Sequence, residues 1–426
     1  VAGVNLDFAI LDPHDDSADN QARLAGWFSA VNRGFHQARP KDETRERWLR
    51  NVRSDGAVLR GAWLPATAYG AGPMPVATFA HWAGELNTGA GTLPLHQISE
   101  VTVSPAHRRK GLLRRMMTAD LDDAVAAGRP LAALTVSEGS IYGRFGFGPA
   151  TWRAKVEMDV SARFAVPGYR PYGRFELVEP ADLWPTQRHL FDAWHAQQRG
   201  SVSRHSGYDA LSRGEWDPEE QAPDEKLRAA VHLDADEQPD GYVLYRHSGW
   251  DRPYTATVQD LVGLTPQAEL ALWTFLGDLD LCELVKAKTQ VDAPITWALA
   301  DPQCRSVAGV EDHIWLRVLD VPVALEGRPW FGDGSVLLGI TDSLGHAHGA
   351  WRVSVRDGKA QVAQASADPA AGEVRLDVGT LGALYLGGTR VSTLADAGRV
   401  SGSPEAVRAW AALADGGPAP YSRTSF

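Results

Sequence analysis

Cysteine is scarce in this chain: the 426 residues hold two, Cys282 and Cys304, and neither belongs to a C-x-x-C pair. A disulfide framework and a cysteine zinc site are therefore not expected. No apolar run approaches the ~20 residues that a membrane-spanning helix requires. The N-terminal stretch carries Asp7, Asp12, Asp15, Asp16 and Asp19 where a secretory signal would be basic and then apolar, so a cytoplasmic protein is the plain reading. G-x-x-x-x-G-K-[ST], H-E-x-x-H and G-x-S-x-G are missing, which removes the P-loop, zincin and serine-hydrolase readings. Positive charge is the minority, with 42 Lys+Arg against 53 Asp+Glu and a net charge of −11. That balance speaks against nucleic acid as a partner and favours attraction of small cations. His346-Ala-His348 has strand-like spacing for a metal but lacks acidic or cysteine partners nearby.

The chain exceeds a single ordinary core, so two or three domains are expected. With 44% hydrophobic and 22% charged residues its composition is globular. The most informative stretch runs from Val101 to Ala150. An alternating strand, Val101-Thr-Val103, leads through Ser104-Pro105 into a basic turn, Arg108-Arg109-Lys110-Gly111. Leu112, Leu113, Met116, Met117, Leu121, Ala124 and Val125 follow at helical spacing. A strand, turn and helix start of this kind aims backbone N–H groups and the positive end of a helix dipole at one point, suited to a pyrophosphate. Five fixed positive charges between Arg108 and Arg115 would also suit nucleic acid, but no aromatic residue interleaves them. About 30 residues on comes a glycine-rich block, Ser137-Glu138-Gly-Ser-Ile-Tyr142-Gly-Arg-Phe145-Gly-Phe147-Gly-Pro149.

The turn resembles the R/Q-x-x-G-x-G/A cofactor motif of the GNAT N-acetyltransferases, with Leu113 where the last Gly or Ala is usual. Together the blocks HRRKGLLRRM and SEGSIYGRFGFGPA resemble the Eis (enhanced intracellular survival) family, and looser similarity continues to the C-terminus. The resemblance implies an α/β (α+β) chain: tandem GNAT-like domains followed by a sterol-carrier-like C-terminal domain. Expected limits are 1–155 for the catalytic GNAT domain, 156–302 for a central copy without a cofactor motif, and 303–426 for the last domain. It implies acetyl-CoA as cosubstrate, a homohexamer, and a small polycationic amine as acceptor, such as an aminoglycoside at one or more amines or a polyamine. A protein lysine, or a non-catalytic role in binding lipid or a small ligand, is the alternative.

Acetyl transfer needs a held coenzyme, a polarised carbonyl, a free amine and a proton for the departing thiolate. Expected cofactor contacts are Arg108, Arg109, Gly111 and Leu112 at the turn, the strand edge at Val101 and Val103, and Ser137, which would also cap the next helix. A backbone N–H near Val101–Val103 would serve the carbonyl. By residue type alone Tyr142 reads as a packed aromatic beside Phe145 and Phe147; the resemblance makes it the general acid, since a phenol keeps its proton at neutral pH. By residue type alone Phe426 reads as a frayed terminus; the resemblance sends its carboxylate into the acceptor site as base. Phe35, Trp48 and Ser425 are the expected acceptor-side residues. Gly143, Gly146 and Gly148 are expected to serve turns, and an acidic pocket is expected between the first and third domains.

Strands are predicted at 57–60, 76–79, 95–103 and 131–136, with helices at 22–37, 43–53, 109–127 and from Ser137. The plan repeats with strands at 175–178, 241–246 and 255–262 and helices at 182–197 and 265–278. After about 303 the chain is strand-rich and ends in helices near 391–397 and 403–413.

Overall fold

The computed structural model describes residues 5–218 and 220–426. Its first part runs β1 (Asp7–Leu11), α1 (Ala18–Gly34), α2 (Asp42–Ser54), β2 (Val58–Trp63), β3 (Ala77–Asn87) and β4 (Thr92–Val103). Then come α3 (Leu112–Ala126), β5 (Leu131–Thr135), α4 (Gly139–Tyr142), β6 (Gly148–Pro149) and β7 (Trp152–Asp159). Ser17 caps α1 by accepting from the Asn20 N–H. Leu24, Trp27, Phe28 and Val31 on α1 and Thr44, Trp48 and Val52 on α2 are buried at spacings of one helical turn; α1 packs on β1, β3 and β4, and Trp48 of α2 stacks on Trp27 and Phe28 of α1. The predicted start of α3 at residue 109 moves to Leu112, because Arg109 (φ 63°) and Gly111 (φ 77°) are left-handed and cannot continue a helix backwards.

The second part runs β8 (Arg174–Val178), α5 (Pro180–Gln197), α6 (Gly207–Ser212), β9 (Leu227–Leu233), β10 (Pro239–His247) and β11 (Thr255–Gly263). It continues with α7 (Pro266–Gly277), β12 (Leu284–Thr289), α8 (Ile295–Ala298), β13 (Arg305–Asp312) and β14 (Ile314–Val318). The third part comprises α9 (Val321–Glu326), β15 (Gly334–Thr341), β16 (Gly349–Arg356), β17 (Lys359–Ser366) and β18 (Val374–Asp377). It closes with α10 (Val378–Leu384), α11 (Val391–Asp396), β19 (Val400–Gly402) and α12 (Pro404–Ala414).

Two seven-stranded sheets carry the first two parts, ordered β1-β2-β3-β4-β5-β14-β6 and β8-β9-β10-β11-β12-β7-β13. Each takes its sixth strand from the other half of the chain: β14 pairs with β5 and β6, and β7 pairs with β12 and β13. Two short connections therefore cross between the sheets side by side, joined where the His313 N–H donates to the Thr151 carbonyl. Residues 303–318, grouped with the last domain from sequence, thus belong to the first two sheets.

The third part is a five-stranded sheet, β17-β16-β15-β18-β19, whose core is continuous with Leu95, Leu131, Leu316 and Val318 of the first sheet. Helix α10 lies directly on β6 and β14. A Cβ on Gly148 would stand 1.9 Å from the Gly379 carbonyl oxygen, and one on Gly382 would stand 2.1 Å from that of Leu316, so only glycine permits this approach. Beside it the buried Arg317 pairs with Asp342 at 2.7 Å and donates to the Phe145 carbonyl, tying the third part to the glycine-rich block.

Candidate active site

Strands β4 and β5 run parallel and pair from Leu95↔Leu131 to Ile98↔Leu134. Beyond that point they part, and the wedge between them is the floor of a cavity of about 390 Å³. A β-bulge shapes its β4 side. The β3–β4 register passes from Thr78↔Thr102 to Ala80↔Ser99, so Phe79 faces both Glu100 and Val101, and Glu100 takes φ 52°. A parted, bulged strand edge leaves backbone N–H groups free to meet a ligand.

Past β4 the chain makes an eight-residue connection, Ser104 to Gly111, whose Arg108, Arg109, Lys110 and Gly111 are exposed. Gly111 precedes α3 with no side chain capping the helix, and a Cβ there would meet nothing within 4 Å. The first-turn N–H groups have no partner inside a helix, so this end of α3 is open, with two exposed arginines in the loop that leads to it.

Tyr142 ends the short helix α4 and is buried against the α3 side of the sheet. Burial, and after it the negative charge of Glu138, pushes its phenol up to about 12, so the hydroxyl holds its proton. Ser137 does not cap this helix; Glu138 occupies the cap position, without a side-chain bond. Of the three glycines, Gly146 is left-handed (φ 78°) and Gly148 admits α10, whereas Gly143 is ordinary helix with open space around it.

The C-terminal tail is packed rather than frayed. The Tyr421 N–H donates to the Arg199 carbonyl, the Thr424 hydroxyl to that of Val202 at 2.7 Å, and the Ser425 N–H to the Tyr208 hydroxyl at 2.7 Å. Ser425 Oγ bonds His313 Nε2 at 2.9 Å. Phe426 closes on Thr135 at the tip of β5: its N–H donates to the threonine hydroxyl, which donates in turn to the Phe426 oxygen. The Phe426 ring lies edge-on to Trp82, 6.2 Å between centroids. One cavity thereby gathers Phe35, Val101, Ser137, Tyr142, Ser425 and Phe426.

Three family models match the chain: an acetyltransferase (GNAT) domain over residues 19–150, a second GNAT domain over 200–318 and a sterol carrier protein domain over 321–423. The N-acetyltransferase Eis of Mycobacterium tuberculosis is 35% identical over 373 residues, 84% of this chain and 86% of that protein. The chain belongs to the Eis family of GNAT N-acetyltransferases. An uncharacterized N-acetyltransferase of Streptomyces griseus is 34% identical over 397 residues, 89% of this chain and 91% of that one. The crystal structure of Eis1 from Mycobacterium abscessus superposes with a TM-score of 0.81 at 28% identity, covering 99% of this chain and 100% of that one. A GCN5-related N-acetyltransferase from Anabaena variabilis, 19% identical with a TM-score of 0.80 over 99% of this chain and 100% of that one, shares the fold. This Eis-family protein is thus an acyltransferase that uses acetyl-CoA, built from two GNAT domains and a sterol-carrier-like one.

Of the remaining expected residues, Val103 ends β4, paired with Ala77 of β3 but beyond the last β5 partner, while Leu112 opens α3 and points into the core. Trp48 stands behind the cavity wall, stacked on Phe28 and Trp27 and donating from Nε1 to Glu100 Oε1 at 3.2 Å. Among the lining residues not legible as site residues are Glu100, Glu311, Asp312 and His313. The last three sit on or just after β13, where the chain crosses between sheets. The acids come from β4, the end of β13 and the terminus, so the cavity lies between first-domain residues and the segment 303–426 expected to form the last domain. Arg153 offsets one of them, bonding Glu311 at 2.6 Å. Burial, reinforced by the positive charges of Arg153 and Lys288, holds His313 near 3, so it is neutral.

Among the described residues one group could gather a metal, His81, His96 and Asp120 beneath α3. Asp120 already accepts from His81 and from Arg60 on one oxygen and from His96 on the other; burial would raise its carboxyl, but the two histidines hold it below the usual range. The arginine beside it opposes a dication, so the group is a buried ionic knot. His346 bonds Asp122 at 2.8 Å and His348 accepts from the Asp342 N–H, so the His-Ala-His run is a turn with its own partners.

No helix of the described residues is long and apolar enough to cross a membrane.

Proposed function

We propose that the cavity transfers the acetyl group of acetyl-CoA directly to a primary amine of a small polycation, in a ternary complex. Aminoglycosides, at more than one amine, and polyamines are the acceptors. The observation that carries this reading is that Tyr142, with its proton held, and the chain's own terminal residue line one acid-rich cavity at the parted strands. In it the pyrophosphate lies on the open start of α3 between Arg108 and Arg109, and the pantetheine arm follows the β4 edge at Val101 and Val103 past Ser137. The thioester carbonyl accepts a backbone N–H there. As the amine attacks, the Phe426 carboxylate orients it and takes a proton, the C–S bond breaks, and the Tyr142 hydroxyl protonates the sulfur. Phe35 and Ser425 border the acceptor, with Trp48 behind them. The homohexamer and the cytoplasmic setting belong to the same reading; two unpaired cysteines accord with the latter.

Thiol release from acetyl-CoA is the test, with tobramycin, neomycin, spermidine and a lysine peptide as separate acceptors. Release with the first three supports the reading. Release with the peptide alone makes the protein a lysine acetyltransferase, and acetyl-CoA binding without release to any of them overturns the assigned acceptors. Sedimentation velocity gives the assembly, and a species other than six chains overturns the hexamer.

A further inference from the structure

Glu100 is a carboxyl that the fold has placed with care and left half unused. It occupies the bulge of β4, at φ 52°, a conformation that a residue with a side chain adopts at a cost. The bulge turns this side chain out of the strand's alternation and towards α2, where the Trp48 N–H bonds Oε1 at 3.2 Å. Oε2 is buried and has no hydrogen-bond partner. A buried carboxylate oxygen without a donor is costly, and a strained residue beside a cavity with such an orphan calls for a donor from water, an ion or a ligand.

Among the described residues no cation bonds Oε2. The groups around the cavity are Tyr142 from α4, Arg153 from β7, Glu311 and Asp312 from the end of β13, His313 from the crossing connection, and the terminal carboxylate. Arg153 is engaged by Glu311, and His313 is neutral. On α2 the neighbouring Arg47 lies over the Trp216 ring, 4.4 Å from its centroid. Two influences act on the Glu100 carboxyl: burial, which raises it to about 7, and the weaker opposing bond from Trp48. It therefore titrates near neutrality, where a general base is most effective. The α-carboxylate of Phe426, with a reference value near ~3.5, is far weaker.

We propose that Glu100 is a second catalytic base, binding the acceptor ammonium through Oε2 and removing its first proton before attack, with Trp48 as its positioning residue. The inference rests on the acetyl-transfer reading above. The protons then balance. An ammonium R–NH3+ gives one proton to the Glu100 carboxylate and becomes R–NH2, whose lone pair forms the C–N bond. The second proton leaves nitrogen for the Phe426 carboxylate as that bond forms, while Tyr142 gives its own to sulfur as C–S breaks. Phe426 returns its proton to Tyr142 through solvent and Glu100 releases its proton to water, for a net yield of amide, free thiol and one proton.

Two measurements on the full-length protein separate this from the reading beneath it. In the first, kcat/KM for tobramycin is followed against pH. Wild type should fall on the acid side with an apparent pKa near 7. Glu100→Gln, which keeps shape and an oxygen for Trp48, should lose about 10²-fold and the acid limb with it. Trp48→Phe removes a bond that favours the ionised form, so the limb should move to higher pH. A Glu100→Gln variant within about threefold of wild type, or with its acid limb unchanged, overturns the proposal. The second measurement needs no turnover: calorimetry of spermidine binding at pH 6.5 in two buffers of different ionisation enthalpy. Wild type should release a fraction of a proton as the bound ammonium favours the carboxylate, and Glu100→Gln none. Equal proton release from both proteins overturns the proposal even if acetyl transfer is established, and acetyl-CoA affinity in the same instrument verifies that the variant is folded.

Discussion

The two GNAT domains of this chain build the same wedge and use it oppositely. In the first, β4 and β5 part after Ile98 and Leu134 and leave about 390 Å³ open. In the second, β11 and β12 part after Thr257 and Lys286, but only about 30 Å³ remains, because Tyr421 and Arg423 of the C-terminal tail lie there against Trp194 and Trp273. The Tyr421 hydroxyl donates to the Lys288 carbonyl at 2.9 Å, the kind of bond a strand edge could otherwise offer a pantetheine arm. The helix starts differ in the same sense. Eight residues of basic, glycine-containing loop lead into α3, whereas two, Leu264 and Thr265, lead into α7. Thr265 caps α7 with its own hydroxyl, and Pro266 brings no N–H at all. One wedge is thus open to an anion and an acyl chain; the other is closed by the protein itself and serves as the anchor from which the tail delivers Phe426 to the first.

Four changes would break or sharpen this contrast. Tyr142→Phe should lower turnover by about 10²–10⁴-fold at little cost in acetyl-CoA affinity, measured by thiol release and calorimetry; a wild-type rate removes Tyr142 as the acid. Asp260→Asn acts at the closed wedge, where the buried carboxylate on β11 holds Arg204 at 2.7 Å and accepts from the Tyr242 hydroxyl. Leaving Arg204 unpaired should cost on the order of 3–5 kcal/mol of stability, read by denaturant unfolding. Arg108→Ala should raise the KM for acetyl-CoA by about 10-fold, as a lost charge-assisted bond of roughly 1.5 kcal/mol or more would do. The equivalent region of the second domain offers no such handle. Tyr421→Phe deletes one hydrogen bond, about 1 kcal/mol, and should lower kcat a fewfold through a looser terminus while the KM for acetyl-CoA holds. An unchanged kcat would disconnect the closed wedge from catalysis.

What the sequence displays and what it hides divide along contact range. The basic turn and the helix after it are local, so the Arg108–Gly111 motif and the apolar face of α3 are plain in the residues themselves. Its helix boundary was not, because two left-handed residues, one of them Arg109, are needed to shape the loop. The strand exchange was hidden for a different reason. Strands β7 and β14 look like any short apolar strands, and only pairing partners more than a hundred residues away decide which sheet each completes. Hence Glu311, Asp312 and His313, which the crossing brings to the cavity, carry no local signal. Glu100 was concealed by its neighbours, reading as one polar step in an alternating strand, whereas the bulge breaks that alternation. The acidic N-terminus likewise concealed β1, whose Phe8 and Ile10 are not deeply buried.

The most direct test is a crystal structure of the protein grown with acetyl-CoA. The account predicts one coenzyme per chain, its pyrophosphate on the amides that open α3 and its sulfur within hydrogen-bonding distance of the Tyr142 hydroxyl. A coenzyme seated between β11 and β12 with the tail displaced, or a Tyr142 hydroxyl turned away from the sulfur, would contradict it.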